Sequence, residues 1–109
     1  MKNAPQVLIK VNFIATKTYE TGATTDLLVV EALIHKAKEF SDKTFAVESD
    51  ATMTDADKAC KATGMLQICE NNNVKFINLR REKARVDLEI PNPEVLHRIR
   101  VPKSSQIRL

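Results

Sequence analysis

The apolar residues of this chain change their spacing repeatedly, and those changes confine it to an architecture of alternating strands and helices. Val7, Ile9, Val11 and Phe13 alternate with Leu8, Lys10 and Asn12, a period of two that predicts a strand over 6–15 with one buried face. Leu27, Val30, Ile34 and Ala37 then recur at helical intervals and predict a helix over 26–40, its other face, with Glu31, His35, Lys38 and Glu39, being solvated. Thr25 is placed to cap that helix, and Asp26 suits its positive end. Thr44 to Glu48 has the Phe, Val and Thr content of a short strand. A second helix follows, marked by Ala59, Ala62, Leu66 and Cys69. Thr54 with Asp57 has capping-box spacing at its start, Gly64 lies inside it for close packing, and Asn71-Asn72-Asn73 closes it. Val74 to Leu79 and Ala84 to Ile90 complete the pattern as two strands.

The resulting order, β-α-β-α-β-β, predicts an α+β protein. The expected form is a two-layer α/β sandwich with both helices on one face of a four-stranded mixed sheet. A chain of 109 residues supports one domain, expected over 1–90, because smaller pieces could not each bury an adequate core. Pro91 and Pro93 stop the last strand and set off a basic C-terminal extension, 91–109. There Val95, His97, Ile99 and Val101 alternate like an edge strand or a docking segment.

Composition narrows the class. A hydrophobic content of 43% with 28% charge excludes disordered and collagen-like chains. No apolar run approaches the roughly 20 residues of a membrane span, and the residues after Lys2 lack a signal peptide's apolar core, so a cytoplasmic protein without membrane contact is expected. Cys60 and Cys69, on one predicted helix at about 100° per residue, fall on opposite faces. Reduced, structural thiols are expected, and without neighbouring histidines they make no zinc set.

Catalytic signals are absent. His35 and His97 have no nucleophile or orienting acid in their sequence context, and with only Gly22 and Gly64 the chain cannot form a phosphate-cradling loop. No enzyme, metal or cofactor is expected. Glu48-Ser49-Asp50, with Asp55 and Asp57, departs from the spacing of a calcium loop and predicts a solvated turn with an acidic helix start.

Charge points elsewhere. Residues 1–79 carry 9 Lys and Arg against 10 Asp and Glu, a net of −1, while residues 80–109 carry 8 against 4, a net of +4. The excess centres on Arg80-Arg81-Glu82-Lys83-Ala84-Arg85, between the last two predicted strands, and recurs at Arg98, Arg100, Lys103 and Arg108. A basic turn on a rigid hairpin projects cations, and Arg forks onto phosphate. The site residues expected are Arg80, Arg81, Lys83 and Arg85, assisted by Lys17 if its loop lies at the same edge. Only five residues are aromatic, mostly in apolar runs, which argues against base stacking. The expected function is non-enzymatic binding of the DNA or RNA backbone with little sequence specificity. The alternative is a protein-interaction or assembly module, such as a viral or mobile-element inhibitor of a host factor, docking through 91–109.

The order of elements and the basic hairpin resemble the Alba family of small nucleic-acid-binding proteins. The matching segments are Phe13-Ile14-Ala15-Thr16-Lys17, Thr44-Phe45-Ala46-Val47, Ala56-Asp57-Lys58-Ala59-Cys60 and Ala84-Arg85-Val86-Asp87-Leu88-Glu89-Ile90, within a span of about 6–90. The resemblance implies a homodimer that grips duplex DNA or RNA with its body and its last hairpin. The C-terminal domain of bacterial translation initiation factor three shares the element order, so a ribosome-associated role fits the topology as well.

Overall fold

The computed structural model describes residues 5–17 and 19–105. Three strands, β1 (Val7–Lys10), β2 (Thr44–Glu48) and β3 (Lys75–Asn78), form a parallel sheet in that order. Their register pairs Ile9 with Ala46 and Ala46 with Phe76. Parallel neighbours need crossovers, and helices supply them. Helix α1 (Leu27–Lys38) joins β1 to β2, while α2 (Ala56–Ala62) and α3 (Met65–Asn71) join β2 to β3. α1 lies on β1 and β2 and packs against α3, which covers β3, so the helices line one face of the sheet. Between the layers lies a core that includes Ile9, Val11, Val30, Ile34, Ala46, Ala59 and Met65.

The stripe predicted for α1 is buried at Val30, Ile34 and Ala37. Its cap is Asp26, whose side chain accepts from the Leu28 N–H at 2.8 Å. Thr25 serves the preceding loop instead, its hydroxyl accepting from the Asn12 N–H at 2.9 Å. The opposite face of α1 is less polar than its charged residues suggested, for Leu28, Val29 and Leu33 are also exposed there. Asp55, rather than Thr54, caps α2 and accepts from the N–H groups of Asp57 and Lys58.

The predicted second helix is two helices. Gly64 adopts φ +85°, a left-handed conformation that ends α2 and turns the chain into α3. The Thr63 hydroxyl donates to the Ala59 carbonyl at 2.8 Å beside this break. The turn brings Cys60 and Cys69 into the same core, which corrects their assignment to opposite faces. Both are free and buried, and burial pushes the Cys60 thiol up to about 12. Asn73, at φ +53°, closes α3 as its residue type suggested.

The larger correction concerns the sheet. In place of four mixed strands there are a three-stranded parallel sheet and a separate antiparallel ribbon, β4 (Arg85–Glu89) with β5 (Arg98–Pro102). β3 and β4 do not pair, so the basic segment is a connector between sheets and not the tip of a hairpin. The strand partner of β4 comes from the 91–109 extension. Opposite charges face each other across that register, Asp87 with Arg100 and Glu89 with Arg98, and such pairs favour it. The predicted strand over 6–15 ends at Lys10, and Phe13 forms an isolated bridge with Thr24. Arg108 lies outside the described residues. No helix among the described residues is long and apolar enough to cross a membrane.

Candidate functional site

Because β1, β2 and β3 are parallel, their carboxyl ends share one edge, which in open α/β sheets is where ligands bind. The loops leaving that edge are 11–26, 49–55 and 79–84. Lys17, Asp50, Asp55 and the basic connector therefore meet at the same end of the sheet. Lys17 is exposed, and its carbonyl accepts from the Thr24 hydroxyl at 2.7 Å. The first two loops are tied together by the Thr54 hydroxyl, which donates to the Ile14 carbonyl at 2.7 Å.

Two buried polar residues at strand ends organise this edge. Glu48 closes β2, and its carboxylate accepts from the N–H groups of Phe13 at 3.2 Å and Ser49 at 2.9 Å, with Lys10 Nζ at 3.3 Å. Asn78 closes β3. Its amide donates to Asp50 Oδ1 at 2.7 Å and Asp57 Oδ2 at 3.1 Å, while its Oδ1 accepts from the Arg80 N–H at 3.1 Å. The sequence reads Asn78 as part of a strand and Glu48 as both the end of one and the start of a solvated acidic turn. A polar residue ending an apolar strand was the available signal for both.

The basic connector folds onto these acids. Arg81 reaches Asp55 Oδ2 at 2.6 Å through Nη2 and Asp57 Oδ2 at 2.7 Å through Nε, spanning the start of α2. Arg80 Nε lies 3.9 Å from Asp50 Oδ2. Arg85 Nη2 donates to the carbonyls of Leu79 at 3.1 Å and Arg80 at 3.2 Å, which orients the guanidinium without cancelling its charge. Lys83 has no acidic partner among the described residues. Glu82 accepts from the Ser104 N–H at 3.1 Å and from its hydroxyl, anchoring the connector to the end of the ribbon.

The electrostatics follow from this folding. The expected site cations Lys17, Arg80, Arg81, Lys83 and Arg85 share the edge with Asp50, Asp55, Asp57 and Glu82, while Glu48 is faced by Lys10, so acidic and basic side chains are interleaved there. The Ala56 N–H, then Asn78, hold the Asp50 carboxyl below its ordinary range. The Lys58 N–H does the same for Asp55, aided by the charge of Arg81, whose own guanidinium is raised chiefly by Asp55. Asp50, Ala51, Thr52, Thr54, Asp55 and Arg80 line an open depression here. Among the described residues no group of three or more His, Cys, Asp or Glu is arranged to hold a metal.

The ribbon offers a different surface. Arg100 grips Asp87 with Nε at 2.8 Å and Nη2 at 3.3 Å, and Arg98 lies 3.6 Å from Glu89, so one face is a ladder of ion pairs. Pairing with Arg100 holds the Asp87 carboxyl below its ordinary range. The other face carries Val86, Leu88, Ile99 and Val101, none of which enters the core. Val95 and Leu96, in the turn between the strands, are 82% and 62% exposed.

Compared with known proteins, residues 7–106 match a family described as Domain of unknown function (DUF362). No curated protein matches the chain, and no solved structure matches it.

Proposed function

Because the chain belongs to the DUF362 family, whose description assigns no function, its role has to be read from its surfaces, and we propose that it is a non-enzymatic assembly module. Its docking element on this reading is the β4–β5 ribbon. One observation carries the proposal: the ribbon's apolar face, half-buried at Val86, Leu88 and Val101, stays outside the core. Two strands alone are marginal in water and need a further surface against which to bury that face. The exposed apolar residues of α1 form another surface, but they lack the ordered charge pairs that fix a register in the ribbon.

A second reading, backbone binding to DNA or RNA, rests on the cations that keep their charge. Arg80 and Lys83 are exposed, and Arg85 is bound only to carbonyls. Together with Lys17 they would meet phosphate at the carboxyl edge, the role that the resemblance to the Alba family implies. Arg81, held between two carboxylates, becomes an anchor for α2 in either case.

Two variants of the intact chain separate the readings. Leu88→Ser weakens the ribbon's apolar face, and Arg80→Glu with Lys83→Glu reverses the connector. The assembly reading expects the first to abolish association measured by sedimentation, with duplex DNA retained weakly by all forms. If instead wild type binds DNA with a log–log salt slope of about −3, as three or four contacts give, and the connector variant alone loses it, phosphate contact is the function.

A further inference from the structure

We infer that the free edge of β4 pairs antiparallel with the same strand of a second copy, giving a four-stranded sheet, β5-β4-β4-β5, across a two-fold axis at Asp87. This rests on the assembly reading above and names its partner.

Three observations on the ribbon lead there. The first is which backbone groups are unused. Ile90 donates to the His97 carbonyl at 3.0 Å and Lys103 to the Ala84 carbonyl at 2.9 Å, so the even-numbered residues of β4 face β5. Alternation along an antiparallel ladder then turns the N–H and C=O groups of Arg85, Asp87 and Glu89 away from β5, toward the open edge. β3, the preceding strand, belongs to the other sheet, and no strand among the described residues covers them.

The second observation is charge order. A two-fold axis at Asp87 sets Arg85 opposite Glu89 of the other copy, twice, on the face that already carries the ion-pair ladder. The two Asp87 carboxylates meet at the axis, but each is held by its own Arg100. On the opposite face, Val86 lies beside Leu88 of the other copy, extending the apolar surface across both ribbons.

The third observation selects β4 over β5. The outer edge of β5 presents Arg98, Arg100 and Pro102. Proline lacks the N–H a new strand would need. One edge of the ribbon is guarded, and the other has no strand partner among the described residues.

The register makes the test specific. In a hydrogen-bonded antiparallel pair, residues on the axis have Cα atoms about 5.5 Å apart, within disulfide range. Asp87→Cys is therefore expected to form an intermolecular disulfide under mild oxidation, while Cys60 and Cys69 stay buried and unreacted. Because that change removes the pair with Arg100, a charge swap is read beside it. Arg85→Glu alone, and Glu89→Arg made with Arg98→Glu so that the ribbon keeps its own pair, should each weaken self-association about tenfold, by turning two attractions into repulsions, and combining them should restore it. Circular dichroism checks that every variant is folded. Absence of the disulfide from folded Asp87→Cys, or a combined variant no better than either of its parts, overturns the pairing. A wild type that stays monomeric while Leu88→Ser loses a purified protein partner overturns the second copy and spares docking. A monomer with no ribbon-dependent partner overturns both.

Discussion

Gly64 sits at φ +85°, where a Cβ costs about 1–2 kcal/mol and here would also meet Leu27 Cδ1 at 3.4 Å. Gly64→Ala should lower stability by about that amount, read as an earlier urea midpoint with an unchanged slope. Glu48 makes a different demand, since its buried carboxylate serves the Phe13 and Ser49 N–H groups. A glutamine amide turned toward either donor leaves it unmet, so Glu48→Gln should cost about 1–3 kcal/mol in the same measurement. Asp50, Asp55 and Asp87 act through pH. Their carboxyls titrate below the ordinary 3.8 when folded, chiefly through the Ala56 N–H, the Lys58 N–H and Arg100 respectively. Groups depressed on folding stabilise at pH values above their unfolded value and lose that contribution as pH falls through the folded one. Stability should therefore hold from neutrality down to about pH 4 and decline below it, and Asp50→Asn should make the decline shallower.

At the scale of elements, local periodicity was readable and partnership was not. β2 occupies Thr44–Glu48 as its composition suggested, and α1 buries the stripe that its spacing marked. Those features depend on neighbours within a few residues. Gly64 could pack inside a helix or break one, and the core that draws in both Cys60 and Cys69 decides in favour of the break. β4 was recognisable as a strand, but its partner is chosen by cross-strand pairs with a segment beyond two prolines. The hairpin expected around the basic segment gives way to a connector for the same reason. Its cations are adjacent along the chain, whereas the carboxylates that face Arg80 and Arg81 are Asp50, Asp55 and Asp57. If those cross-strand pairs hold the ribbon together, Arg98→Glu with Arg100→Glu should open it. The amides of Val86 and Leu88 should then exchange about tenfold faster or more, with the core helices unaffected.

For the whole molecule, the division of labour is spatial. The parallel sheet and its helices enclose the core, the carboxyl edge interleaves acidic and basic side chains, and the ribbon remains outside the core with one edge that no described strand pairs. The molecule measures 41 × 40 × 24 Å, with a radius of gyration of 15.1 Å against about 13 Å for a compact domain of this length. Such a flattened form presents much surface for its mass, and the ribbon supplies the part with the clearest register. Residue-resolved amide exchange at low and high protein concentration tests this account most directly. Protection of Arg85, Asp87 and Glu89 that appears only in the concentrated sample, with Val86 and Leu88 protected in both, is the predicted result. Equal exchange of those three amides at both concentrations, in a chain shown to associate, would contradict it.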